Sequence, residues 1–292
     1  MRFLFPQNLD RRIIFALVAL ALALPIVFKL SIPPARMKSA EKLFKVIDEL
    51  QVREGQIVFL AMDFGPNIKA ENQPQAEVVI EHLMRRRIPL AVFSLYQLAD
   101  PFLASVPDLI AQRLMKENPG ETWDYGRDWV NLGYSPGGFQ IVKAISKSED
   151  VAGLFDKDAR GNSLAELPAF RGVKRLEDIP LLVQFTGLVG MLDVYIQFFQ
   201  KSGYRPRFGH GCTSITIPEA YIYLDSGQLN GLLEGLAGAA WYSELLRRRF
   251  ENGGSQEAVL TNTGLGVAHL VVIVLIVFGN LAACFNRRRS KP

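Results

Sequence analysis

Apolar positions in this chain fall into two long runs at its ends and a series of short runs between them. Ile13 to Phe28 reads IIFALVALALALPIVF, and Gly264 to Phe285 contains HLVVIVLIVFGNLAAC. At about 1.5 Å per residue, each approaches or covers a hydrocarbon core about 30 Å thick. Residues 13–31 and 264–285 are therefore expected to be transmembrane helices. Arg11-Arg12 and Ala21-Leu22-Ala23 give the first run some features of a cleaved signal peptide. Its continuation from Leu24 to Phe28 favours an uncleaved anchor.

Between the ends, buried-strand patterns alternate with helix patterns. Ile57 to Met62 is a near-continuous apolar run, as a strand buried on both faces requires. Asn72-Gln73-Pro74-Gln75 reads as a helix start, with Asn72 as N-cap and Gln75 as its capping-box partner. Arg85-Arg86-Arg87 then suit the negative end of that helix. Further strands are expected at 89–95, 129–134 and 181–188 and within 207–217. Helices are expected from Asp100-Pro101 to about Lys116, at 138–146 and at 191–199. Asp225-Ser226-Gly227-Gln228 is expected to cap a long helix to Arg249, with Gly227, Gly231, Gly235 and Ala239 at every fourth position. Residues 147–178 are charged and glycine-dotted, and no element is assigned to them.

Five strand–helix cycles predict an α/β fold. Residues 56–250 should form a Rossmann-like or flavodoxin-like parallel sheet of about five strands. Residues 36–51 predict an amphipathic helix within a linker, 32–55, and residues 251–263 a tether to the second membrane helix.

Charge changes the picture of the body. The chain carries 33 Lys and Arg against 29 Asp and Glu. Eight of the cations (Arg2, Arg11, Arg12, Lys29, Arg287, Arg288, Arg289 and Lys291) lie at the ends, with Asp10 as the one acid there. Residues 32–263 keep 25 basic and 28 acidic groups, a net of −3. Nucleic acid, which demands a basic footprint, is not an expected partner. The basic ends predict cytoplasmic tails at 1–12 and 286–292, and a two-pass plasma-membrane protein with its body extracytoplasmic. Arg36, Lys38, Lys42 and Arg247-Arg248-Arg249 count the other way but flank a long domain. The cysteines, Cys212 and Cys284, make no disulfide framework.

Candidate chemistry collects where strands end, the edge at which such sheets bind ligands. The candidate ligand site comprises Asp63, Tyr134, Ser135, Gly137, Gly138 and Thr186. Gly137-Gly138 can cradle an anion with backbone N–H groups or simply make a tight turn; it is neither GxGxxG nor a P-loop. Asp63 can orient a ligand or metal, or bond nearby backbone. His210 and Cys212 share a face of an extended segment, but lack a third orienting residue and the ligand number that zinc needs. No cofactor is indicated. In the second membrane helix His269 and Asn280 lie eleven residues apart, within about 20° around the axis, a candidate seam for a partner helix.

The segments LAMDFGP, ENQPQAEVVIEHLMRRRIPLA, WVNLGYSPGG and YLDSGQLNGLLEGLAGAAWYSELL resemble an uncharacterised family of prokaryotic membrane-anchored proteins. Members of that family carry a Rossmann-like domain between two terminal transmembrane helices. The resemblance spans most of residues 56–246; it implies the architecture and no catalytic residue. The expected function is a non-catalytic interaction or ligand platform in a membrane complex, with the bilayer and other membrane subunits or a second copy as partners. Two alternatives stand beside it. One is an extracytoplasmic small-molecule sensor, the other a membrane-anchored hydrolase using Cys212 or Asp63.

Overall fold

In a computed structural model that describes residues 10–289, the short apolar runs become six parallel strands. They are β1 (Val58–Asp63), β2 (Leu90–Ser94), β3 (Trp129–Tyr134), β4 (Leu181–Thr186), β5 (Arg207–Cys212) and β6 (Gly231–Glu234). Their order across the sheet is β3-β2-β1-β4-β5-β6. That is the doubly wound, Rossmann-like order, whose winding reverses between β1 and β4.

Both faces of the sheet are covered. Val58, Leu60 and Met62 enter one core with helices α2 (Lys38–Asp48), α3 (Lys69–Arg85), α4 (Asp100–Glu117) and α9 (Gly235–Arg249). Ile57, Phe59 and Ala61 enter the other, with α5 (Phe139–Lys147), α7 (Met191–Phe198) and α8 (Ile217–Asp225). This strict alternation within an unbroken apolar run is what a strand buried on two sides produces. Residues 147–178 contribute α6 (Val151–Phe155) and three short 3-10 turns. They bury Val151, Leu164, Phe170 and Leu176 in the second core, so the segment is part of the domain.

Three expectations are corrected. The long helix from Gln228 to Arg249 is instead strand β6 followed by helix α9. Gly227 and Gly235 have φ of 74° and 53°, and break the chain on either side of the strand. Gly231 is there for a close approach: a Cβ would fall 2.4 Å from the Cα of Leu43 on α2. The four-residue glycine spacing thus marks two turns and one contact, not a helix face. Second, the expected linker helix is a core element, since Ala40, Leu43 and Ile47 of α2 are fully buried. Third, α3 begins at Lys69, which leaves Asn72 and Pro74 inside the helix and Asn72 buried.

The end segments form a separate compact unit. In it α1 (Arg11–Val27) packs against α10 (Gln256–Arg289). A Cβ on Gly264 would lie 2.9 Å from the Leu22 carbonyl oxygen, and Ile32 N donates to Thr263 Oγ1 at 3.0 Å. Among the described residues one helix is long and apolar enough to cross a membrane, over Gln256–Leu281. α1 falls short of the expected 13–31 span. Its 17 residues rise about 25 Å, and it ends at Val27 just after Pro25. The outermost tail residues, 1–9 and 290–292, lie outside the described part of the chain.

Gly231→Ala is expected to destabilise the domain by about 1–3 kcal/mol, because α2 must move off β6 to admit the methyl group. Urea denaturation of the variant beside the wild type measures this.

Candidate functional site

The winding reversal places the ligand crevice of this fold class outside the ends of β1 and β4, where Asp63 pairs in register with Thr186. Asp63 and Thr186 lie at that edge. The chemistry there differs from the expectation, because Asp63 is fully buried.

One carboxylate oxygen of Asp63 accepts from Leu95 N at 2.7 Å and Ser94 Oγ at 3.0 Å. The other accepts from Gln184 Nε2 at 3.1 Å. The buried Tyr195 phenol of α7 stands against the same group, and is held far above its usual range by burial first and the Asp63 charge second. Burial raises the Asp63 pKa, while its bonds to Leu95, Gln184 and Ser94 pull the other way. Thr186 Oγ1 donates to the Asp63 carbonyl at 2.9 Å and accepts from Leu188 N at 3.1 Å. Thr186 therefore closes a turn, and its hydroxyl is used within the fold.

The loops leaving β1 and β2 also fill the mouth of the crevice. A Cβ on Gly65 would lie 2.9 Å from the Tyr96 ring and 3.1 Å from Leu98 Cβ. Ser135 is buried, with its N–H donating to the Ser94 carbonyl at 2.8 Å. Tyr134 is half-buried, and Gly137 and Gly138 (φ 108° and 56°) form an open turn into α5. Asp63, Thr186 and Ser135 are thus gathered as an internal brace, whereas Tyr134, Gly137 and Gly138 lie at the rim.

Sequence reasoning missed the partners of that brace. Gln184 carried a readable signal, a lone amide in the middle of the apolar strand LLVQFT. Ser94 and Tyr195 did not stand out from apolar neighbours. A second clamp was likewise hidden in the expected helix start. Gln75 Nε2 donates to the carbonyls of Cys212, Leu233 and Gly235 at 2.8, 3.1 and 2.9 Å. Asn72 Nδ2 bonds Gln75 Oε1 and the Gly211 carbonyl at 2.9 and 3.2 Å. Together they tie α3 to the carboxyl ends of β5 and β6.

Cys212 and His210 do not make a nucleophilic pair. Both are buried. Burial pushes the thiol up to about 12 and the imidazole down to about 3, so the groups are a protonated thiol and a neutral ring at neutral pH. Cys212 Sγ lies 3.6 Å from the Leu233 carbonyl, to which it donates. Among the described residues no group of three or more His, Cys, Asp or Glu is placed to hold a metal ion. On α10, His269 and Asn280 are exposed, while Gly264 makes the close contact with α1.

Around the closed crevice the loops present apolar side chains to solvent. Val189 is 80% and Ile215 85% exposed, and Leu98 and Phe139 are also exposed. They follow β4, β5, β2 and β3 respectively, so parallel pairing brings them to the same edge.

Compared with known proteins, the chain matches no family model, no curated protein and no solved structure. What the fold defines is a class: a Rossmann-like α/β domain in a chain that also carries a helix able to cross a membrane.

Asp63→Ala is expected to cost about 2 kcal/mol or more, since Leu95 N and Gln184 lose their buried acceptor. Asp63→Asn should fold, because the Gln184 amide can turn to present Oε1. In the wild type, stability falls as pH rises from about 4 through the raised Asp63 pKa, the unfolded chain losing that proton first. Asp63→Asn removes this loss; urea midpoints at acid and alkaline pH compare the three proteins.

On the acid side, His82 and His210 both have folded pKa values near 3 against a usual 6.5. Their contribution is fully present above about 6.5 and is lost as pH falls towards 3, because the unfolded chain takes up protons first. His210→Gln is expected to reduce this acid sensitivity, read from urea midpoints between neutral pH and about pH 4.

Proposed function

We propose that this protein is a membrane-anchored, non-catalytic interaction platform and a subunit of a membrane assembly. The observation that carries the reading is the contrast at the carboxyl edge. There the buried carboxylate of Asp63 is bonded by Ser94, Leu95 and Gln184 and packed by Tyr195, while Leu98, Phe139, Val189 and Ile215 stand exposed. Polar chemistry is directed inward there and apolar surface outward, the arrangement of a contact surface for another protein.

The α10 helix supplies the anchor in this reading. A second pass through residues 13–31 rests on hydropathy, and the basic ends support cytoplasmic tails with an extracytoplasmic body. The exposed His269 and Asn280 give α10 a polar face for a partner helix within the bilayer. A hydrolase reading finds no support in Asp63 or Cys212, because neither side chain reaches solvent.

The double substitution Val189→Glu/Ile215→Glu tests the proposal. Both side chains are already solvated, so the fold and its melting temperature should be unchanged. Recovery of co-purifying chains from native membranes should drop several-fold. If wild-type protein gently extracted from those membranes runs as a lone monomer, or if the variant retains every partner, the reading is wrong.

A further inference from the structure

At the opposite edge of the sheet, where strands begin, the domain has a concavity of about 370 Å³. Five arginines line it: Arg53, Arg86, Arg87, Arg127 and Arg171. Glu54 is the one carboxylate residue on its wall. They come from four places far apart in sequence: the approaches to β1, β2 and β3, and the turn at Pro168–Arg171. This concentration of positive charge sits in a body whose residues 32–263 carry a net charge of −3.

Two of the arginines are occupied. Arg87 stacks 3.9 Å from the Trp123 ring centroid and pairs with Glu121, and Arg127 pairs with Asp124 and Asp128. The other three have no carboxylate partner among the described residues. Arg86 is half-buried and fixed by one end, Nη1 donating to the carbonyls of Ile47 and Leu50 at 2.6 and 3.2 Å. This leaves its remaining N–H groups available.

Helix polarity accounts for part of this. Arg86 and Arg87 follow the end of α3, where cations are favoured, and Arg86 caps α2. It does not account for Arg53, Arg127 and Arg171, which stand on loops. The wall is also shaped. Gly55 and Gly172, with φ of 81° and 87°, let the loops of Arg53 and Arg171 touch: a Cβ on Gly172 would lie 3.1 Å from Gly55 Cα. The loops carrying Arg53 and Arg171 are thereby set side by side, with both side chains exposed to solvent.

We propose that this concavity is a binding site for a small polyanion carrying clustered phosphoryl groups, held by Arg53, Arg86 and Arg171. The volume is that of a small-molecule site. Guanidinium forks arriving from separate segments suit tetrahedral oxyanions, which offer oxygens in several directions, better than a planar carboxylate with one binding edge. Arg87 and Arg127 add field, with their forks already engaged. The site lies at the edge opposite the apolar rim, so it stands apart from the partner contact proposed above. Clustered phosphoryl groups belong to soluble oligophosphates and to phospholipid headgroups alike.

The test is isothermal titration of the full chain in a neutral detergent with sodium tripolyphosphate and, in a second arm, with dihexanoyl phosphatidic acid. Saturable one-to-one binding to either probe is expected. A preference for tripolyphosphate assigns a soluble ligand; a preference for the lipid assigns a headgroup. Arg53→Gln/Arg171→Gln should weaken binding about tenfold or more while leaving the unliganded melting temperature in place. The control, Arg247→Gln/Arg248→Gln, removes two arginines that pair with Glu244 and should bind as wild type does. Absence of saturable binding to both probes overturns the proposal. So does an equal loss in both double variants, which would reduce the effect to net charge.

Discussion

The buried carboxylate at the point where the sheet reverses its winding governs the rest of this structure. A carboxyl group taken out of water must be met by donors or it destabilises the fold. Asp63 is met by Leu95 N and Ser94 from β2 and its exit and by Gln184 from β4, with the Tyr195 phenol of α7 packed beside it. One side chain thus ties the two central strands and their outer neighbour. The crevice that this winding normally leaves open is filled by the chain's own groups, and Gly65 lets the flanking loops close over it.

Much of this was legible in the sequence. β3 and the helices after β2, β3 and β4 stand within a residue or two of where their patterns put them, because two-sided burial and helix punctuation are local signals. β6 was not legible. Its four residues lie between glycines spaced like a helix face, and only the approach of α2 to Gly231 shows what those glycines serve. Asn72 and Gln75 misled for a related reason. Their amides have the spacing of a helix cap, yet they bond the ends of β5 and β6, residues more than 130 positions away. The site shows the same division. Strand ends located Asp63 and Thr186, but burial, which decides whether a carboxylate binds a ligand or braces a fold, is set by the packing of distant elements.

The two edges of the sheet carry opposite chemistries. At the carboxyl edge polar groups are consumed internally and apolar side chains face outward. At the amino edge arginines gather around a concavity with few anionic partners of their own. The domain thus has one apolar rim and one basic hollow, in a chain that also holds a membrane-length helix.

Hydrogen exchange at the carboxyl-edge loops bears most directly on that account. Exchange would be followed in native membrane vesicles and in the purified chain held as a monomer in detergent. The account predicts that the loops bearing Leu98, Phe139, Val189 and Ile215 exchange more slowly in the vesicles, while the strands exchange alike in both. Equal exchange of those loops in both settings would contradict it.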